Sequence, residues 1–149
     1  MFRFITALLI TIVGAIGFSN ATHIVGGEIN YKYLGNNFYE IRMTVYRDCY
    51  NGVPDFDDPA SLGFFNMNNA LVKEIQMPFL GKDTIDPYII SPCLVPPIDV
   101  CYEVTTYIDT VFLLPIPGGY QLAYQRCCRN VNILNIQTPR TVGITISAR

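Results

Sequence analysis

Tyr120-Gln-Leu-Ala-Tyr-Gln-Arg-Cys-Cys-Arg-Asn130 alternates apolar and polar residues and ends in two adjacent cysteines. Leu122 and Tyr124 fall on one side and Gln121, Ala123 and Gln125 on the other, the period-two signature of a half-buried strand. Working outward, segment 38–49 repeats the design: Tyr39, Ile41, Met43 and Val45 share a face, and the run closes on Cys49. Before it, Ile29, Tyr31 and Tyr33 alternate with Glu28, Asn30 and Lys32. Leu34-Gly-Asn-Asn37 then supplies residues that tolerate positive φ, which predicts a β-hairpin. Segments 62–66 and 71–77 read as short strands about the turn Asn68-Asn69. Segment 102–114, where Val104, Ile108 and Phe112 alternate with Glu103, Thr105 and Asp109, reads as a long strand. Pro115-Ile-Pro-Gly-Gly119 then predicts a hairpin turn into Tyr120. Segment 141–148, with Val142, Ile144 and Ile146 in alternation, is the last strand.

The connections are of two kinds. Segment 50–59 is dense in Gly, Pro, Asn and Asp and cannot continue a central strand. Segment 81–97 carries Pro87, Pro92, Pro96 and Pro97 and reads as a loop crossing between sheets. Seven or eight short strands with no helical stripe predict an all-β, immunoglobulin/fibronectin-like two-sheet β-sandwich. A barrel is the alternative.

A chain of 149 residues has room for one domain with a sizeable core. Half its residues are apolar, yet the one continuous apolar run is 4–18, behind Arg3 and ahead of Ser19-Asn-Ala21. That run is shorter than the ~20 residues a spanning helix needs, and small residues precede Thr22. The reading is a signal-peptide helix over 1–21, cleaved between Ala21 and Thr22, with a sandwich domain over 22–149. An uncleaved N-terminal anchor is the alternative, and would be the only contact with a membrane. Ten basic and twelve acidic residues give a net charge of −2 with no basic cluster, which argues against nucleic acid as a partner.

Five cysteines behind an export signal point to disulfides in an oxidising compartment. There is no Cys-x-x-Cys, and the single histidine, His23, removes most zinc arrangements. Cys93 and Cys101 enclose a short Pro-stiffened loop and are the favoured pair. If 102–114 and 120–130 form a hairpin, Cys127 and Cys128 lie far from Cys101. The expectation is then Cys49–Cys128, by parity with the apolar faces, leaving Cys127 spare; a bulge would give Cys49–Cys127 instead.

Several stretches resemble a known module: His23-Ile-Val-Gly-Gly-Glu-Ile-Asn-Tyr31, Tyr33-Leu-Gly-Asn-Asn37, Val45-Tyr-Arg-Asp-Cys49, Phe64-Phe-Asn66 and Pro115-Ile-Pro-Gly-Gly-Tyr-Gln-Leu-Ala-Tyr-Gln-Arg-Cys-Cys-Arg-Asn130. They are similar to the N-terminal module of large secreted Bacteroidota surface proteins, which often end in a gliding-motility-associated C-terminal domain read by type IX secretion. The resemblance implies export through the periplasm to the outside or the cell surface. Neither repeat domains nor a sorting domain is present, so the chain is either the head of a longer modular protein or a short periplasmic relative.

The candidate sites are few. Asp55, Asp57 and Asp58, near Asp48 and Asn51, offer hard oxygen ligands for calcium, against the alternative of a solvated turn. Tyr31, Tyr33, Tyr39 and Tyr46 could form a stacking platform for a glycan or peptide, against ordinary core burial. Arg47, Asp48, Arg126 and Arg129 flank the cysteines as a charge network. No Ser-His-Asp or Cys-His set can be assembled, so no catalytic residue and no resident cofactor is expected. The sequence therefore reads as a non-catalytic, secreted or surface-exposed adhesion module whose partners are neighbouring domains or extracellular polymers and glycans. A carbohydrate- or calcium-binding accessory module is the second reading, and a small hydrolase the third.

Overall fold

In a computed structural model of the chain, residues 24–52, 54–85, 99–130 and 133–149 are described. They form two antiparallel four-stranded sheets packed face to face. The first has the order β1 (Ile24–Gly35), β2 (Phe38–Asp48), β6 (Tyr102–Phe112), β5 (Asp83–Ile85). The second has the order β4 (Leu71–Met77), β3 (Ala60–Phe65), β7 (Gln121–Cys127), β8 (Gly143–Ala148). This is the immunoglobulin-like arrangement, with strands one, two, five and six on one sheet and their partners on the other. The proposed signal segment 1–21, its cleavage point between Ala21 and Thr22, and Cys93 lie outside the described residues.

The β1–β2 hairpin forms as the sequence predicts: Asn36 and Asn37 hold φ of 50° and 64°, which a tight two-residue turn between twisted strands demands. β2 presents Ile41, Met43 and Val45 inward, all essentially buried. From β7, Leu122 and Tyr124 meet them, with Leu62 and Phe64 from β3. Gly27 is required where β1 crosses β8, because a Cβ there would stand 2.4 Å from Ile146 Cδ1 and 2.6 Å from the Thr44 carbonyl oxygen.

Three expectations fail, for one reason. β6 pairs with β2 along its whole length, from Phe38 opposite Phe112 to Asp48 opposite Tyr102, and does not form a hairpin with β7. Segment 113–120 instead carries the chain from one sheet to the other. First, the buried face of β6 is consequently Thr105, Tyr107 and Val111, while Val104, Ile108 and Phe112 point outward. Directly opposed residues share a face, so the apolar face of β2 sets that of β6. Second, Cys49 and Cys101 are the next opposed pair beyond Asp48 and Tyr102. They form a disulfide with Cα atoms 5.1 Å apart, and the Cys49 amide also donates to the Cys101 carbonyl. This excludes Cys93–Cys101. Third, Cys127 and Cys128 are bonded to each other where the β7–β8 ladder stops at Cys127 opposite Gly143. Neither Cys49–Cys128 nor Cys49–Cys127 forms, and Cys127 is not spare. On a regular strand these two sulfurs would point to opposite faces. They meet because strand pairing ends there.

Candidate functional site

The sandwich has two ends of different chemistry. At the end carrying the Cys49–Cys101 bridge, the 49–59 loop is pinned by charged side chains from both sheets. Arg47, almost fully buried, places Nη1 2.5 Å from the Pro54 carbonyl oxygen and 3.1 Å from Asp55 Oδ1. Its Nε lies 2.8 Å from Glu103 Oε2, an ion contact poorly aligned for hydrogen bonding. Lys82 Nζ closes the circuit at 2.9 Å from Asp55 Oδ2 and 3.2 Å from Glu103 Oε2. From the other sheet, Arg126 Nη2 holds the Asp55 carbonyl at 2.8 Å and Asp57 Oδ1 at 3.1 Å. The hydroxyl of Tyr124 donates to Asp57 Oδ2 at 2.6 Å, and that of Tyr107 to the Asp57 carbonyl at 2.8 Å.

These contacts set the protonation of the cluster. The hydrogen bond from Lys82 holds Asp55 below the ordinary carboxylate range and in return raises Lys82. Burial would raise Asp48, but hydrogen bonds from Asn51, the Tyr50 amide and Asn130 outweigh it and leave Asp48 lowered. Burial pushes both Tyr107 and Tyr124 well above the usual phenol range, with Asp57 reinforcing the shift. Of the three calcium candidates, Asp55 and Asp57 are thus engaged by Lys82, Arg47, Arg126 and Tyr124, and Asp58 is exposed. Among the described residues no group of three His, Cys, Asp or Glu side chains is set to hold a metal ion. Arg129 stands apart from the ion cluster and donates to the Gly143 carbonyl at 3.0 Å.

The opposite end is open. β1, β2 and β6 have 12, 11 and 11 residues, against 6, 7 and 6 in β3, β7 and β8. At about 3.3 Å per residue the first sheet is ~16 Å longer, and its excess overhangs the second. Under the overhang is a groove of about 380 Å³. It is lined by Tyr31, Tyr39 and Ile41 of the hairpin, by Leu113 to Ile116 and Gly118 to Tyr120 of the crossover, and by Leu122 and Arg149. Tyr120 is locked by its hydroxyl, which donates to the Leu114 carbonyl at 2.7 Å, the tyrosine-corner contact of immunoglobulin-like folds. Tyr33 packs against Tyr39 with centroids 5.1 Å apart and is 57% exposed, extending the aromatic surface outward. Tyr31, 52% exposed, donates to the Arg149 carbonyl at 3.3 Å.

Of the four tyrosines weighed as a stacking platform, three come together. Tyr31, Tyr33 and Tyr39 share the inward face of the overhanging hairpin, opposed as Tyr31–Ile41 and Tyr33–Tyr39. Tyr46 lies on the opposite face of β2, next to the disulfide end. Sequence reasoning missed Tyr120 and the Gly118-Gly119 wall. The unequal strand lengths would have disclosed the recess, but only once the sheet partners were known.

No family model, no curated protein and no solved structure matches the chain.

Proposed function

We propose that this chain is a non-catalytic binding module of an exported, surface-exposed protein, which uses the groove end to engage extracellular polymers or neighbouring domains. The observation that carries the reading is the separation of the two ends. The ionisable side chains that come together do so in a cluster whose members neutralise one another and fasten a loop. The groove is lined by phenol rings, aliphatic side chains and Arg149, with no Asp or Glu side chain and no nucleophile–base pair among its lining residues. Such a lining can hold a ligand, and it lacks groups to move a proton or attack a bond.

Export accords with the disulfides, which persist in oxidising compartments. The test is to express the chain in a Bacteroidota host, fractionate the cells, and measure both protease accessibility and retention on insoluble polysaccharides and on whole cells. Surface exposure with retention and no product release is the expected result. Confinement to the cytoplasm, or release of soluble sugars or peptides, would overturn it.

A further inference from the structure

The groove does not end at Tyr120. Across the Gly118-Gly119 ridge lies a second recess of about 130 Å³, lined by the side-chain amides Asn66, Asn69 and Gln121 and shared with Arg149. The two glycines hold φ of 78° and 70°. A Cβ on Gly119 would meet nothing within 4 Å, so a ligand can approach the ridge closely. Asn66 uses Oδ1 to accept from the Asn68 and Ala70 amides, at 2.9 and 3.0 Å, and its NH₂ makes no hydrogen bond among the described residues. The carboxamides of Asn69 and Gln121 make no hydrogen bond among the described residues.

Aromatic faces beside unengaged amides, with no acidic side chain in either recess, match one kind of molecule. A pyranose ring presents patches of C–H that stack on an aromatic face and a rim of hydroxyls that both donate and accept. Amides, which also do both, are the side chains suited to that rim. An aliphatic ligand would leave the amides unpaired on burial, which opposes binding. A polyanion would find a single cation, Arg149, where several are needed.

We propose that the groove end binds a neutral polysaccharide. One sugar ring lies against Tyr31 and Tyr39, and the next crosses the Gly118-Gly119 ridge to reach Asn69 and Gln121. The proposal rests on the binding-module reading and names its ligand class.

Calorimetry with the full chain and three neutral hexasaccharides, of β-linked glucose, xylose and mannose, tests it. An alginate hexamer and a proline-rich hexapeptide serve as comparators. At least one neutral probe binds at submillimolar Kd, with affinity unchanged between low and high salt because no ion pair forms. Tyr31→Ala and Tyr39→Ala each weaken it tenfold or more, Tyr31→Phe less than threefold, and Gln121→Ala about fivefold. Tyr50→Ala, at the far end, leaves affinity as it was. Unfolding midpoints near the parent's exclude misfolding as the cause, and Gln121→Ala, at an exposed position, keeps the test decisive should the tyrosine-to-alanine variants fold poorly. Failure of every neutral probe, or binding indifferent to Tyr31 and Tyr39, overturns the proposal. Binding of only the alginate or the peptide overturns the ligand class while leaving the binding-module reading standing. Hydrolysis of a probe overturns both.

Discussion

The two ends of this sandwich are built from the same strands, yet one is held by a disulfide and ion pairs and the other has hydrogen bonds of phenol hydroxyls to main-chain oxygens. At the disulfide end, Arg47 from the first sheet and Arg126 from the second both grip the 49–59 loop, and Cys49–Cys101 closes the β2–β6 ladder beside them. At the groove end, Tyr120 to Leu114 secures the crossover, and the remaining tyrosines are half in water. The difference teaches that buried charge here serves anchorage, and that the recesses at the other end are lined without acidic side chains and with Arg149 as their one cationic side chain.

The largest effect should come from the bridge. Cys49 and Cys101 are 52 residues apart, and closing a loop of that size is worth about 4 kcal/mol in the chain-entropy account. Cys49→Ala with Cys101→Ala should therefore lower unfolding free energy by that order in a denaturant titration. A loss below ~1 kcal/mol would remove the disulfide from the comparison. Next is Arg47→Met, which leaves Glu103 with Lys82 as its remaining cation and releases the Pro54 carbonyl and Asp55, and should destabilise by about 2 kcal/mol. Adding Glu103→Leu should restore little of this, since the deficit lies in the lost grip on the loop; full recovery would mean that the Arg47–Glu103 pair dominates.

Tyrosine hydroxyls allow a matched test. Tyr124→Phe removes a hydrogen bond to a carboxylate and should lower stability by about 2 kcal/mol, whereas Tyr120→Phe removes one to a carbonyl and should lower it by about 1 kcal/mol. Equal losses would blur the distinction between the ends.

Acid should act on one end only, and more weakly. Asp48 and Asp55 have folded-state pKa values below 3.8, so each contributes stability that is complete above that pH and is lost as pH falls through the lowered value. Asp55 is largely exposed and solvent screening keeps its share small. Unfolding free energy measured from pH 6 to pH 2 should decline below about pH 4, and Asp48→Asn should flatten that decline. An unchanged slope in the variant would take Asp48 out of the network.

How far the sequence discloses all this depends on whether a feature is local. The β1–β2 hairpin is legible because Gly35-Asn36-Asn37 and the alternation on either side determine it within a few residues. The inward faces of β2 and β7 are legible for the same reason. β6 is not: Thr105 and Tyr107 look like outward residues until Gly81 and Asp57 are seen accepting their hydroxyl hydrogen bonds. The disulfides failed on topology, since 115–119 reads equally well as a hairpin turn and as a crossover between sheets, and only the crossover frees β6 to bring Cys101 to Cys49. The platform of Tyr31, Tyr33 and Tyr39 was visible as a pattern, but its depth comes from β3, β7 and β8, shorter strands distant in the sequence.

Amide hydrogen exchange of the intact, oxidised chain tests the division of the molecule most directly, because opening free energy is read segment by segment in one sample. Loop 49–59 should exchange nearly as slowly as β2 and β6, while 66–70 and 113–119 open at a free energy several kcal/mol lower. A 49–59 loop that exchanges as fast as 113–119 would contradict the account.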